Sequence, residues 1–196
     1  STHKIMGGPV GGLILTDDED LARRMVQLTF PGFMQTRDQN KYAALATALA
    51  EVAEHGAQLA ARMVENARAL AKALEGEGFA VIGRERGHTR THQIFVELGA
   101  TAKRFEERCQ AADILASDCA LSGDLQLGRR SGARLATHEL TRLGMGTAEM
   151  SAIARLIRRA ALDGESPESV RAEVHELRSR FASIEFSFDS RSAVHR

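Results

Sequence analysis

One lysine lies in a segment whose composition suits covalent chemistry with a carbonyl compound. Lys4 follows Ser-Thr-His and precedes the glycine-rich run GGPVGG. A lysine attacks a carbonyl carbon as the neutral amine and forms a Schiff base, and glycines such as Gly11 and Gly12 let backbone amides contact a phosphate. The alternative is that Lys4 is simply a solvated lysine in a glycine-rich loop. The spacing alone favours this alternative, because most lysines are solvated charges.

A second candidate is an arginine in a short apolar segment, RRSGARLAT, where it is residue Arg134. Burying a guanidinium without a partner is costly, so we expect this one to bind a carboxylate through two parallel hydrogen bonds. That carboxylate belongs either to an Asp or Glu of the protein, which is the commoner case, or to a substrate.

The histidines give weaker indications. His88 and His92 flank the tripeptide TRT before a predicted strand. A metal site needs at least a third ligand at a suitable spacing, and His3 and His138 are available but not suitably spaced. We therefore expect no metal site, and we interpret His88 and His92 as loop residues or substrate contacts.

The composition excludes several classes of protein. The 196 residues include 26 basic and 26 acidic side chains, so no net field attracts nucleic acid or an anionic membrane. Two cysteines, Cys109 and Cys119, do not make a disulfide framework, and neither has the surroundings of a nucleophile. No signal peptide or long apolar span occurs. We expect a soluble, cytoplasmic, helix-rich protein.

Hydrophobic periodicity predicts the helices and strands that carry these residues. Residues 11–18, GGLILTDD, predict a short buried strand. Asp17 or Asp18 can cap the helix EDLARRMVQL that follows. The longest helix is predicted from about Gln39 to Leu74, with a bend or break at Gly56.

The second half of the chain predicts an alternation of strands and helices. The strands are FAVIG, HQIFVEL, DILAS and SGARLAT, and the helices are TAKRFEERCQAA, GTAEMSAIARLIRRAAL and PESVRAEVHELRSRF. Thr147 resembles the first residue of a capping box in which Met150 replaces the ideal Glu. Ser166 is the predicted cap of the last helix, and Pro167 is its first residue.

These elements divide the chain near residue 50. Residues 1–50 form a strand, a helix and a loop that expose too much apolar surface to be independent, so we expect the end of a larger domain. Residues 51–196 predict a compact α+β unit of three or four strands with helices on one side.

Several segments together resemble one family. STHKIMGGPVGGLILTDDEDLARRM resembles the active-site segment of serine hydroxymethyltransferases, with a Thr-His-Lys triplet before a Gly-Pro-x-Gly-Gly run. FPG, MVENARALAKALEGEGFAVIG and SGARLATHELTRLGM follow in the order of the family, the last resembling its Ser-Gly-x-Arg-x-Gly-Thr segment. The resemblance covers nearly the whole chain.

The resemblance implies an α/β pyridoxal-phosphate (PLP) transferase of fold type I. Residues 1–50 would end the large cofactor-binding domain, and residues 51–196 would form the small α+β domain. Lys4 would form the Schiff base with pyridoxal 5'-phosphate, Thr2 and His3 would lie beside the cofactor, and Arg134 would bind the substrate carboxylate. The implied assembly is a homodimer or a dimer of dimers, and further cofactor contacts would come from a missing N-terminal part of the enzyme.

The family cleaves β-hydroxy-α-amino acids by a retro-aldol reaction that leaves a glycine quinonoid, and tetrahydrofolate takes the one-carbon unit. This sequence departs from the family pattern at three places. Val10 replaces an arginine of the glycine-rich run, and FMQTRD after FPG replaces a turn that contacts the cofactor phosphate of the neighbouring subunit. Ser117–Cys119 (SDC) replaces the stretch associated with the folate ring. The segments GHTRTHQIFVEL and IEFSFD resemble L-threonine transaldolases, including fluorothreonine transaldolase. The resemblance therefore implies transfer of the glycine unit to an aldehyde.

Two alternatives remain open. One is a folate-dependent serine/glycine hydroxymethyltransferase, and the other is a non-catalytic, cofactor-free domain of the same fold.

Overall fold

The computed structural model describes residues 1–188 of the chain. Contacts between residues divide the chain into two compact units, unit 1 over Ser1–Gly56 and unit 2 over Ala57–Arg196. No helix among the described residues is long and apolar enough to cross a membrane. Asp189, the last residue of the IEFSFD segment, lies outside the described residues.

Six α-helices and four β-strands form the regular structure of the described residues. The helices are α1 Glu19–Gln27, α2 Gln39–Gly76, α3 Ala102–Ala111, α4 His138–Arg142, α5 Thr147–Ala161 and α6 Pro167–Ser179. The strands are β1 Ala80–Val81, β2 Gln93–Glu97, β3 Ser117–Cys119 and β4 Gly132–Ala136.

The predicted strand over residues 11–18 is wrong. This segment has no regular structure, and its apolar side chains are exposed, with Ile14 at 67% and Leu15 at 83% of their full surface. A strand is stable only when its backbone pairs with a neighbour, and no strand of the described residues pairs with this one. The helix that follows begins as predicted, because Asp18 accepts a hydrogen bond from Leu21 N at 2.9 Å.

The long helix α2 is confirmed, but the predicted break at Gly56 is wrong. α2 runs without interruption from Gln39 to Gly76. A single glycine in a helix interior costs about 1 kcal/mol relative to alanine, which the packing of a helix of this length can offset. The left-handed Gly78, at φ 88°, follows the end of the helix.

Unit 2 is built on a four-stranded antiparallel sheet with the strand order β1-β2-β4-β3. β2 and β4 are the two central strands. In their register Phe95 lies opposite Arg134 and Gln93 opposite Ala136. Because side chains alternate between the faces of a sheet, Arg134 and its neighbours at 133 and 135 lie on opposite faces.

Helices cover one face of this sheet, as predicted. The core combines α2, α3 and α5 with the inward side chains of the strands, and it includes Leu74, Val96, Phe105, Leu135 and Ile157. All five are at most 5% exposed. The opposite face carries Arg134 and is free of these helices.

The predicted strand DILAS is displaced. Its Asp113 has a left-handed backbone (φ 57°), and Ile114 N donates to Cys109 O at 2.9 Å. These contacts hold the segment at the end of α3, so the strand β3 begins only at Ser117.

The N-terminal caps of α5 and α6 agree with the sequence prediction except for one residue. In α5 the N-cap is Gly146, not Thr147, because Glu149 accepts a hydrogen bond from Gly146 N at 2.8 Å. In α6 the prediction is confirmed, since Ser166 Oγ accepts from Ser169 N and Pro167 is the first residue.

A buried aspartate fixes the chain at the start of β4. Asp124 is 1% exposed and accepts hydrogen bonds from Leu121 N (2.8 Å), Ser131 N (2.9 Å), Ser131 Oγ (2.5 Å) and Arg129 Nε (2.8 Å). These donors, Ser131 Oγ first, hold the pKa of Asp124 well below its ordinary range. Ser131 directly precedes β4, so this network anchors the strand that carries Arg134.

We expect Asp124→Asn to destabilise the chain strongly at neutral pH and by a smaller amount in acid. The pKa of the native carboxylate is lowered, so its stabilisation is fully present above the ordinary pKa of about 3.9 and decreases gradually as the pH falls from there toward the lowered pKa of the native state. Urea unfolding at about pH 7 and about pH 3 measures the difference.

The matched control is Asp163→Asn, which removes a half-exposed pair with Arg158 and should change little at either pH. Equal effects of Asp124→Asn and Asp163→Asn at neutral pH would contradict this account of the network.

Candidate active site

Residues 2–11 form a loop that is closed by hydrogen bonds at its base, and we call it the lysine loop. Thr2 N donates to Gly11 O at 3.1 Å, and Gly8 N donates to Thr2 O at 2.9 Å. Thr2 Oγ1 donates to Pro9 O at 2.6 Å, and Thr2 is only 2% exposed. The threonine of the STHK segment therefore closes the loop.

Lys4 lies at a turn of the lysine loop. Gly7 N donates to Lys4 O at 2.9 Å, and Gly7 has φ 69°, a conformation that favours glycine. Lys4 and His3 are exposed. The Lys4 amine makes no hydrogen bond or ion pair within residues 1–188, so it is available to a ligand.

Close packing against α2 holds the other side of the lysine loop. A Cβ added at Gly8 would lie 3.1 Å from Thr2 O and 3.4 Å from Leu45 Cδ1. A larger residue at this position would crowd Thr2 O within the loop, while its contact with α2 would be an ordinary van der Waals one. Unit 1 thus positions Lys4 on a loop that is fixed by hydrogen bonds and by packing.

The residues of this loop that were predicted to contact the cofactor differ in the hydrogen bonds that they can still form. The Thr2 hydroxyl donates within the protein, so it can only accept a further hydrogen bond. Gly11 and Gly12 are exposed, and their backbone N–H groups donate to no atom of the described residues. The free donors near Lys4 are therefore backbone amides.

Arg134 is exposed on the helix-free face of the sheet, which corrects the expectation of a buried guanidinium. The apolar neighbours in its sequence, Ala133 and Leu135, face the core, because the side chains of a strand alternate. Phe95 and Ser117 lie opposite Arg134 on the two flanking strands. Its side chain makes no hydrogen bond or ion pair with any residue of the described chain.

A cavity of about 680 Å³ opens next to Arg134, and we call it the β4 cavity. It lies between the end of β4, residues 113–117, and the helices α5 and α6, and most of its lining is apolar. Arg134, Ser117 and His138 are among its polar lining residues. Its volume lies in the range typical of small-molecule sites.

Among the described histidines of unit 2, His88 and His175 pair with carboxylates, whereas His92 and His138 pack against each other. His88 Nε2 lies 2.8 Å from Glu75 Oε2, so His88 pairs with a protein carboxylate. The His92 and His138 rings pack edge to face, with centroids 5.4 Å apart. No group of three or more His, Cys, Asp or Glu side chains in residues 1–188 could hold a metal ion.

The cysteines differ in environment. Burial raises the pKa of the Cys109 thiol to about 12, so it is an inert core residue. Cys119 ends β3, and burial raises the pKa of its thiol as well, although the charge of Arg134 opposes the shift.

Sequence reasoning missed the contact between His138 and His92, although the order of the predicted strands indicates it. His92 precedes one predicted strand and His138 follows the other, and the antiparallel register brings these ends together, with Thr137 N donating to His92 O at 3.0 Å. Unit 1 thus gathers Lys4 with Thr2 and the glycines, and unit 2 gathers Arg134 with the two histidines.

We expect Thr2→Val to loosen the lysine loop, because valine keeps the shape of threonine but cannot donate to Pro9 O. Loss of one hydrogen bond of about 1 kcal/mol should speed amide hydrogen exchange at Gly8 about fivefold. Thr2→Ser, which keeps the hydroxyl, should exchange at nearly the native rate. Equal exchange in native and Thr2→Val protein would show that this hydroxyl does not hold the loop.

Comparison with known proteins places the chain in a family. The family model described as serine hydroxymethyltransferase matches residues 1–157. Serine hydroxymethyltransferase of Korarchaeum cryptofilum is 40% identical over 195 residues, which cover 96% of this chain and 45% of that protein. The enzyme of the same name from Methanopyrus kandleri is 42% identical over 200 residues, which cover 100% of this chain and 46% of that protein. The chain thus spans less than half the length of these relatives.

The solved structure of another protein has a fold similar to that of this chain. L-threonine transaldolase from Pseudomonas fluorescens, crystallised in its internal aldimine state, matches with a TM-score of 0.83 and 25% identity, over 96% of this chain and 44% of that one. The expected fold class, that of a PLP-dependent transferase of fold type I, is confirmed by this match. The chain belongs to the serine hydroxymethyltransferase family.

Proposed function

We propose that this chain supplies the cofactor lysine and the carboxylate-binding arginine of a PLP-dependent transferase that acts on β-hydroxy-α-amino acids. The observation that carries the proposal is the state of Arg134. It lies in a central strand of unit 2, it is exposed, and no carboxylate of the described residues pairs with it. An unpaired guanidinium on a rigid strand suits a carboxylate of a ligand.

The donor set of the lysine loop fits pyridoxal 5'-phosphate. This group carries an aldehyde and a phosphate. The free amine of Lys4 suits the aldehyde, and the free backbone N–H groups of Gly11 and Gly12 suit an anion. Thr2 fits less directly, because its hydroxyl already donates to Pro9 O; we propose that it supports the loop while His3 lies beside the cofactor.

The residues of this chain then have separate tasks. Arg134 orients the amino acid through its carboxylate, which fixes the Cα–Cβ bond that must break. Lys4 would hold the cofactor through its amine. When bound, pyridoxal 5'-phosphate withdraws electrons from Cα and so stabilises the charge left by the cleavage.

Two acceptors are candidates, and different observations favour them: tetrahydrofolate would take the one-carbon unit cleaved from serine, whereas an aldehyde would take the glycine unit. The identity of about 40% to proteins named serine hydroxymethyltransferase favours tetrahydrofolate. The structural match to an L-threonine transaldolase favours an aldehyde, as does the strand entry THQ at residues 91–93. The three departures at Val10, FMQTRD and Ser117–Cys119 also favour the aldehyde.

The rest of the enzyme is part of the proposal. We propose that residues 1–50 end a large cofactor-binding domain and that residues 51–196 form the small domain. The exposed apolar side chains at residues 13–15 support this, since such surface normally packs against other protein. We further propose a homodimer or a dimer of dimers, located in the cytoplasm.

Two assays of the full-length protein with added pyridoxal 5'-phosphate test the function. Cleavage of serine that requires tetrahydrofolate is expected of a hydroxymethyltransferase, whereas exchange between threonine and an added aldehyde without folate is expected of a transaldolase. Arg134→Lys should raise KM for the amino acid at least tenfold in either assay, because lysine keeps the charge but loses the two parallel hydrogen bonds.

A full-length protein that binds no pyridoxal 5'-phosphate and shows neither reaction would overturn the proposal in favour of a non-catalytic domain. A KM that is unchanged in Arg134→Lys would overturn the role of the arginine alone. Arg130→Lys serves as the control, because Arg130 already pairs with Asp118 at 3.2 Å.

A further inference from the structure

The helix-free face of the sheet carries a glutamine beside Arg134. In the register of β2 with β4, Phe95 lies opposite Arg134 and Gln93 lies opposite Ala136. Residues that lie opposite each other in an antiparallel pair share a face of the sheet, as do residues two apart on one strand. Gln93 and Phe95 therefore lie on the same face as Arg134.

The small residues of β4 decide on which side of Arg134 a ligand has room. Gly132 and Ala136 flank Arg134 on this face, because they are two residues away on the same strand. The space above Gly132 is filled, since a Cβ added there would lie 2.5 Å from Leu121 Cδ2. Ala136 carries only a methyl group and is partly exposed. The room beside Arg134 is therefore above Ala136, opposite Gln93.

The side-chain amide of Gln93 is available to a ligand in this position. Gln93 is partly exposed, and its side chain makes no hydrogen bond within residues 1–188. Diagonal neighbours across an antiparallel pair are about 7–8 Å apart, a separation that long side chains can bridge. Glu97 is the acidic residue of β2 on this face, but it lies opposite the filled position of Gly132 and forms no ion pair with Arg134 in the described structure.

We propose that Gln93 is a second binding group for the carboxylate held by Arg134, with its side-chain N–H donating a hydrogen bond to one carboxylate oxygen. The ligand class is a small α-amino acid, whose carboxylate would lie above Ala136 between the guanidinium and the amide. A neutral amide suits this place because it adds a donor without a charge that would pair with the arginine. The inference rests on the proposed function, because it assumes that Arg134 binds the substrate carboxylate.

The test measures binding of glycine and of methylamine to the full-length protein with its cofactor, by titration calorimetry. Methylamine has an amine but no carboxylate, so it reports on the rest of the site. Gln93→Met keeps the length of the side chain and removes the donor. It should weaken glycine binding about tenfold, which is the effect of losing one hydrogen bond to a charged group, and should leave methylamine binding unchanged.

A second variant and a control make the test specific. Gln93→Glu keeps the shape of glutamine but places a negative charge beside the bound carboxylate, so it should weaken glycine binding more than Gln93→Met does. Gln110→Met makes the same substitution at an exposed position of α3 and should change neither affinity.

The outcomes separate the two proposals. If Arg134→Gln leaves glycine binding unchanged, the proposed role of Arg134 is wrong and the inference fails with it. If Arg134→Gln weakens glycine binding but Gln93→Met and Gln93→Glu do not, the role of Gln93 alone is overturned. Equal weakening of glycine and methylamine binding in the Gln93 variants would also overturn it, and thermal melts that match the native protein show that the variants are folded.

Discussion

The antiparallel pairing of β2 with β4 decides where the candidate functional side chains of unit 2 lie. Phe95 opposite Arg134 fixes the register. In this register Leu135 enters the core and Arg134 faces outward, whereas a slip of one residue would exchange the two faces. The same register places the end of β4 beside the start of β2, which brings His138 against His92.

Other contacts of unit 2 protect this register from both ends of β4. At the start of the strand, Asp124 holds Ser131 and Leu121 packs where a side chain at residue 132 would lie: a Cβ on Gly132 would be 2.5 Å from Leu121 Cδ2. At the end of the strand, Thr137 Oγ1 donates to Met63 O of α2 at 2.8 Å. The strand that carries Arg134 is therefore held between a polar network and a helix.

In unit 1 the corresponding constraint is the hydrogen bonding of Thr2. Its hydroxyl and both backbone groups bind atoms of the same loop, which leaves the neighbouring lysine as the exposed group of the STHK segment. The STHK segment thus contains one residue, Thr2, that closes the loop and another, Lys4, that the loop leaves exposed.

Local signals in the sequence were sufficient for much of the fold. The cap at Asp18, the Ser-Pro start of α6 and the presence of the long helix α2 depend on residues close in the chain, and each is confirmed. Features that depend on distant partners were not predictable. Residues 11–18 have the composition of a strand but no strand of the described chain to pair with, and the DILAS segment is displaced because it bonds back to the end of α3.

The candidate site likewise combines residues that local sequence predicts with features that depend on distant partners. Lys4 and Arg134 were proposed from the sequence because their segments resemble motifs of the family, and such motifs are local patterns. The exposure of Arg134 and the cavity beside it depend on the sheet register, which no single segment specifies. His92 and His138 pack against each other although they are 46 residues apart in the sequence, so only the strand pairing reveals the contact.

The central claim is that Lys4 is the residue that binds the cofactor. The most direct measurement is borohydride reduction of the full-length protein with pyridoxal 5'-phosphate, followed by peptide mass spectrometry. Reduction makes the bond between cofactor and amine permanent, so we expect the pyridoxyl mass on the peptide that contains Lys4, and its loss in Lys4→Arg. The same mass on Lys41 or another lysine, with Lys4 unmodified, would contradict the account.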